Sequence, residues 1–124
     1  MPGTFYVDQE QTFKAVIFLS SAPRMAYGAS DKQDTTKDGV PKWEIQVAAT
    51  FEHFGRLENE VLKVNMISYT DPGEAIGLPQ PVELVGFRVR VHPVEKRLDK
   101  NGVERITGGT ASYQADGITA LSAA

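Results

Sequence analysis

Hydrophobic and polar positions alternate most regularly from Lys42 to Thr50. Trp43, Ile45, Val47 and Ala49 fall on one side and Lys42, Glu44, Gln46 and Ala48 on the other, which is the period of a strand with one buried face. Asp38-Gly39 just upstream is a turn signal, because glycine takes positive φ without a Cβ clash. His53-Phe54-Gly55-Arg56 predicts the next turn. From Glu60 to Ser68 the alternation returns, with Leu62, Val64 and Met66 inward and Lys63 and Asn65 solvated.

Pro81 to Val94 predicts another strand, with Val85, Phe87, Val89 and Val91 on one face and Arg88 and Arg90 on the other. Val82 and Leu84 carry the apolar pattern on the opposite parity. Gly86 stands where the parity changes, as at a bulge or sharp bend. Thr4 to Asp8 is a short β-like piece, and Thr12 to Ser20 is an apolar segment whose β-branched and aromatic content favours a strand. Pro23 ends it. Arg24 to Lys37 reads as a strand fraying into a long hairpin loop.

Asp71-Pro72-Gly73 is a strong turn, and the glycines and prolines after it leave room for no more than one helical turn. Asp99-Lys100-Asn101-Gly102 is a hairpin signal. It leads to a final strand from Glu104 to Asp116, with Ala111, Tyr113 and Ala115 inward and a bend at Gly108-Gly109. Residues 119–124 read as a flexible tail, and 1–23 as an N-terminal extension or extra strand.

These elements predict a single all-β domain over residues 1–124: a curved five-stranded antiparallel barrel or half-barrel, OB-fold-like. Its expected core is Trp43, Ile45, Val47, Val64, Met66, Phe87, Val89 and Tyr113. A β-sandwich has the same periodicity and stays open as the alternative.

Composition narrows the function classes. At 124 residues, 41% hydrophobic and 23% charged, the chain has an ordinary globular mixture rather than a disordered or fibrous one. With no cysteine there is no disulfide framework, thiolate zinc site or cysteine nucleophile. The apolar run Ala15 to Leu19 is far short of the roughly 20 residues that cross a bilayer. Asp8 and Glu10 stand where a signal peptide carries basic residues. The expectation is a cytoplasmic protein without a membrane partner. A net charge of −3 gives no global pull on nucleic acid, so phosphate binding has to come from local clustering.

Catalytic chemistry has little to stand on. His53 lies in a turn and His92 at a strand end, neither with a sequence-adjacent triad partner. Glu52, Glu58 and Glu60 near His53 match no zinc or calcium spacing. Ile106-Thr107-Gly108-Gly109-Thr110 lacks the Walker lysine and a following helix. No enzyme, cofactor or metal is expected.

Lys37, Lys42, Arg88 and Arg90 fall on hairpins or solvent faces, where a barrel would gather them into one stripe. Tyr27, Phe54 and Tyr69 are the aromatics that alternation does not turn inward, and are candidates for base stacking. Scattered basic residues also simply solubilise β-proteins and guard their edges. Trp43 and Phe87, within unbroken apolar alternation, are expected in the core instead.

The stretch Lys32 to Val47 resembles a polar K-x-Q-x-D-x-x-x-G-x-P-x-W run that leads into an alternating strand in small proteins of actinobacterial plasmids and integrative elements. These form the plasmid replication, integration and excision activator group. Pro81-Val82-Glu83-Leu84-Val85-Gly86 is similar to that group's P-V-E-F-x-G strand. Ala111 to Ile118 is similar to its final S-x-R-A-x-x-I strand, with Gln114 in place of arginine. The likeness spans roughly residues 30 to 118. The order of elements is also similar, in layout alone, to phage-type OB single-stranded-DNA-binding proteins. The resemblance implies a non-enzymatic accessory protein of plasmid or phage DNA replication. Single-stranded DNA is then the expected partner. The alternative is a protein-interaction module that recruits or activates a replication or excision protein. In either case a homodimer is one way to lengthen a groove.

Overall fold

A computed structural model describes residues 3–26, 32–93, 95–98, 100–107 and 110–121. In chain order its elements are β1 (Thr4–Tyr6), α1 (Gln9–Thr12), β2 (Ala15–Pro23), β3 (Lys42–His53), β4 (Arg56–Ile67), β5 (Val82–Val85), β6 (Arg88–Val91), β7 (Glu95–Leu98), β8 (Glu104–Thr107), β9 (Ala111–Gln114) and β10 (Gly117–Ala120). Among the described residues the domain is all-β apart from the single turn of α1, which is capped by the Asp8 carboxylate accepting from the Gln11 backbone N–H at 3.2 Å.

The long alternating stretches form the centre. β3 and β4 pair in register from Lys42↔Ile67 to His53↔Arg56. The turn between them is Phe54-Gly55, and both residues have positive φ (50° and 75°), the backbone of a tight two-residue hairpin. β2 pairs antiparallel with β3, with a register shift between Phe18 and Ser20. β9 lies against the other side of β4 and runs parallel to it, then β6 and β1 follow antiparallel. The result is a six-stranded sheet in the order β1-β6-β9-β4-β3-β2, with β10-β5 and β7-β8 as two-stranded ribbons.

The expected five-stranded antiparallel barrel or half-barrel is therefore corrected to an open six-stranded sheet with two-stranded ribbons, and one of its pairings is parallel. The reason lies at Gly86. Only Gly86 and Phe87 separate β5 from β6, and only Ala115 and Asp116 separate β9 from β10. Gly86 takes φ +64°, and a Cβ there would run into the Asp116 carboxylate. Each long run bends there and carries its other half into the β10-β5 ribbon. The parity change is real: Val82, Leu84 and Phe87 are buried, whereas Val85, expected on the Phe87 face, is 50% exposed.

That ribbon reaches back towards β2 without making a ladder. Its backbone pairing there is the isolated bridge Ile17↔Pro81 and the Phe18 N–H donating to Gln80 O at 2.9 Å, while Val16 and Phe18 share the core with Val82 and Leu84. Beyond it the Gln9 carboxamide acts as a strand would: Nε2 donates to Val82 O and Oε1 accepts from the Leu84 N–H, both at 2.9 Å. One side chain thus satisfies the β5 edge that faces away from β10.

Ile45, Val47, Val64, Met66 and Phe87 are buried as expected, with Val16, Phe18, Leu62, Val82, Leu84 and Ile76 added to them. Tyr113 packs partly against this core and Val89 is half-buried. Trp43 departs from expectation. It stands at the end of β3, where the core runs out, half-buried, with its indole N–H donating to Ser68 O at 2.9 Å. The single final strand is also corrected: 104–107 belongs to the β7-β8 hairpin, and 111–114 to the main sheet. The proposed bend at Gly108-Gly109 lies outside the described residues. Residues 117–120, where the tail was expected to begin at 119, pair with β5 instead.

Candidate nucleic-acid interface

β9 and β4 stay together only at Val64↔Tyr113 and Asn65↔Gln114. After the Ala115 N–H donates to Asn65 O at 3.1 Å, the bend at Asp116 carries the chain away from β4. Parallel strands that part in this way leave a wedge. The cleft holds about 200 Å³ and has buried Met66 and Ala115 at its floor. Asn65 and Gln114 form its wall, and Arg24, Lys42 and Arg88 stand around it.

Backbone bonds explain how Arg24 and Lys42 meet there. The Arg24 N–H donates to Lys42 O (3.0 Å), the Asp34 N–H to Arg24 O (2.7 Å) and the Lys42 N–H to Asp34 O (2.9 Å). The segment between β2 and β3 is thereby folded back on the start of β3. Asp34 Oδ2 also lies 3.3 Å from Lys42 Nζ. Arg88 comes from the far side. Its Nη1 donates to Asp116 Oδ1 and to Gly86 O, each at 2.9 Å. Arg88 was expected on a fully solvated face, but its side chain is 23% exposed, because the bend curls over it. Arg90, one strand period further along β6, is exposed.

Of the residues expected to form one site, Lys42 and Arg88 line this cleft and Arg90 extends its face. Tyr69 is exposed beside the same end of β3, where the Ser68 N–H donates to Pro41 O. Lys37 is exposed on the turn closed by the Gly39 N–H to Thr36 O bond at 3.0 Å, outside the cleft. Phe54 is not brought to the site. It lies at the opposite end of β3, roughly 35 Å from Lys42 by strand rise. Tyr27 lies outside the described residues. Arg24, Asn65 and Gln114 were not singled out as site residues. Asn65 and Gln114 meet through a parallel pairing between strands distant in sequence, and Arg24 joins them through the folded-back segment before β3, for neither of which a local pattern has a signal.

The histidines lie elsewhere. His53 Nδ1 is 3.6 Å from Glu58 Oε1, and its ring centroid is 4.3 Å from that of Phe54. His92 Nε2 lies 3.4 Å from Ser112 Oγ, a loose hydrogen bond. Among the described residues, no group of His, Asp and Glu is placed to hold a metal ion, and no helix is long and apolar enough to cross a membrane. No family model matches the chain, and no curated protein and no solved structure matches it.

Proposed function

We propose that this chain is a non-enzymatic single-stranded-DNA-binding accessory protein of plasmid or phage DNA replication, carried on an open sheet whose strand order is OB-like. The observation that carries the reading is the convergence of Arg24, Lys42 and Arg88 on one cleft, with Arg90 on the same face of β6. Binding that tracks a single strand needs such a positive groove. The acids beside it do not close it, since exposed ion pairs are worth about 0–1 kcal/mol and a phosphate can compete for the cation.

The strand order supports the OB-type reading. With β1 set aside at its edge and β5–β6 and β9–β10 each taken as one bent strand, the lateral order of the remaining five is first, second, third, fifth and fourth, and the residue before β5, Pro81, bridges back to Ile17 of β2. That is a partly open Greek-key arrangement, in which OB folds bind on the second and third strands and on the loops after the first and fourth. Here the first of those loops supplies Arg24 and Lys42 at its ends. The plasmid or phage setting rests on the sequence resemblance, and a symmetric dimer would lengthen the groove.

The test is a titration of fluorescently labelled single-stranded oligonucleotide, with a duplex control, across a range of salt. Four phosphates met by Arg24, Lys42, Arg88 and Arg90 give a log–log slope of about −2.8, at about −0.7 each. Equal affinity for duplex, or an affinity indifferent to salt, overturns the reading.

A second reading has its own observation. The β3–β4 hairpin projects beyond its neighbours, with every residue from 52 to 61 exposed and Phe54, 92% exposed, at its tip. Glu52, Glu58 and Glu60 surround that tip and repel DNA, while Leu57 and Val61 add exposed apolar area. This arm suits a protein partner with an apolar pocket rimmed by lysine or arginine. Loss of pull-down of a purified replication initiator with Phe54→Ala, at unchanged DNA affinity, would separate the two readings.

A further inference from the structure

We propose that the tip of the β3–β4 hairpin of one copy docks into the cleft beside β9 of a second copy, so that the protein associates head to tail. This rests on the second reading above and names the arm's partner. Arm and cleft lie at opposite ends of one ladder: β3 and β4 pair without a break from Lys42↔Ile67 at the cleft to His53↔Arg56 at the tip. Phe54 is roughly 35 Å from Lys42 by strand rise, so no chain fills its own cleft.

The two ends are complementary. At the tip Phe54 is 92% exposed, and Glu58 and Glu60, exposed and one strand period apart, stand on one face of β4. Glu52, Glu58 and Glu60 outnumber Arg56 there. At the cleft the floor is apolar Met66 and Ala115, and Arg24, Lys42 and Arg88 stand around it. Lys42 and Arg88 are already paired with Asp34 and Asp116, but among the described residues the Arg24 side chain has no ion pair or hydrogen bond. It is thus the cation left for Glu58 or Glu60 of an incoming tip.

The cleft's size and floor suit one phenyl ring. It holds about 200 Å³, and a cavity of about 150 Å³ takes up benzene. A thioether such as that of Met66 makes favourable contact with an aromatic ring. Phe54 in the single copy carries the cost of a left-handed backbone, φ 50°, with no ring contact beyond His53. Seating it in a neighbour's cleft supplies the missing burial.

Tip and cleft are different surfaces, so the contact is heterologous and propagates into open chains or closes a ring. It is small, below the roughly 1,200 Å² of stable interfaces, and therefore transient. On the DNA-binding reading, strand and tip compete for this cleft, and head-to-tail association belongs to the DNA-free protein.

The experiment is sedimentation velocity of the DNA-free protein from micromolar to near-millimolar concentration, at low and high salt. The wild-type average mass should climb past that of a dimer, and salt should lower it. Phe54→Ala and Arg24→Glu, both at exposed positions, should each weaken the association about tenfold or more. An equimolar mixture of the two variants should form a particle of two chains and nothing longer, because the one good tip meets the one good cleft and leaves two defective ends. A mixture without that particle overturns the proposal. A wild type that stops at a dimer, or an Arg24→Glu variant that associates as well as wild type, points to tips meeting tips and overturns docking in the cleft. A wild type that stays monomeric overturns self-docking altogether, while pull-down of the replication initiator tests the second reading separately.

Discussion

Arg88 and Asp116 are tied across the bend in the two long strands: Arg88 Nη1 donates to Asp116 Oδ1 at 2.9 Å. The carboxylate that would collide with a side chain at position 86 is thus the one that holds the cation at the cleft. Fold and candidate site share this atom group. The alternation of Arg88 and Arg90 on one strand face says nothing of the tether, because Asp116 belongs to another strand.

Releasing the tether should favour DNA. Asp116→Ala removes the competitor for the Arg88 guanidinium, so single-strand affinity should rise by up to about fivefold, the scale of a partly exposed ion pair of 0–1 kcal/mol. Arg88→Ala should instead shallow the salt slope by about 0.7. Anisotropy titrations at several salt concentrations measure both, and an affinity that falls in Asp116→Ala would count against Arg88 as a phosphate contact.

Gly86→Ala should destabilise the domain in two separable ways. The left-handed backbone, φ +64°, costs a non-glycine residue about 1–2 kcal/mol, and the new Cβ also collides with Asp116. Pairing it with Asp116→Ala removes the collision and leaves the backbone cost. Denaturant melts of the two single variants and the double variant should therefore show coupling, with the double variant more stable than the sum of the singles predicts.

Gln9→Ala leaves Val82 O and the Leu84 N–H without their partner on the open β5 edge. A part-buried unmet polar group costs about 1–3 kcal/mol, so the midpoint of urea unfolding should drop measurably, and amide exchange at Leu84 should speed up. Unchanged exchange there would mean that water replaces the side chain at no cost.

Much of the main sheet is legible because it obeys a local rule. Ile45, Val47, Val64 and Met66 alternate with polar neighbours, and the parity change at Gly86 announces the bend. What escapes has no local rule. β10 reads as a tail because Gly117, Thr119 and Ala120 carry no amphipathic signal; its pairing is decided by β5. Trp43 alternates correctly yet lies where the sheet outruns the core. The Asp8 cap of α1 does carry a signal, an acidic residue three before Gln11, but a single turn is too short for periodicity to support it. Lys42 and Arg88 are visible as candidates, whereas Arg24, Asn65 and Gln114 join them only through the β4–β9 pairing and the folded-back segment between β2 and β3.

Phe54 gives the sharpest contrast between stability and function. It is the only non-glycine residue with positive φ among the described residues, at 50°, in a turn position that favours asparagine or glycine. An exposed aromatic ring held in that conformation is a cost without a packing return, since its ring contact is the neighbouring His53. Strain of this kind gathers at binding sites. Phe54→Asn should therefore raise stability, by about 0.5–1 kcal/mol, because asparagine visits the left-handed region more readily. If the arm anchors a protein partner, the same substitution should abolish capture of that partner while leaving the salt-dependent DNA affinity within about twofold, as the tip is roughly 35 Å from Lys42 along β3. A melt and a DNA titration on one variant decide it: lower stability would remove the strain argument, and a large loss of DNA affinity would place Phe54 on the path of the strand instead.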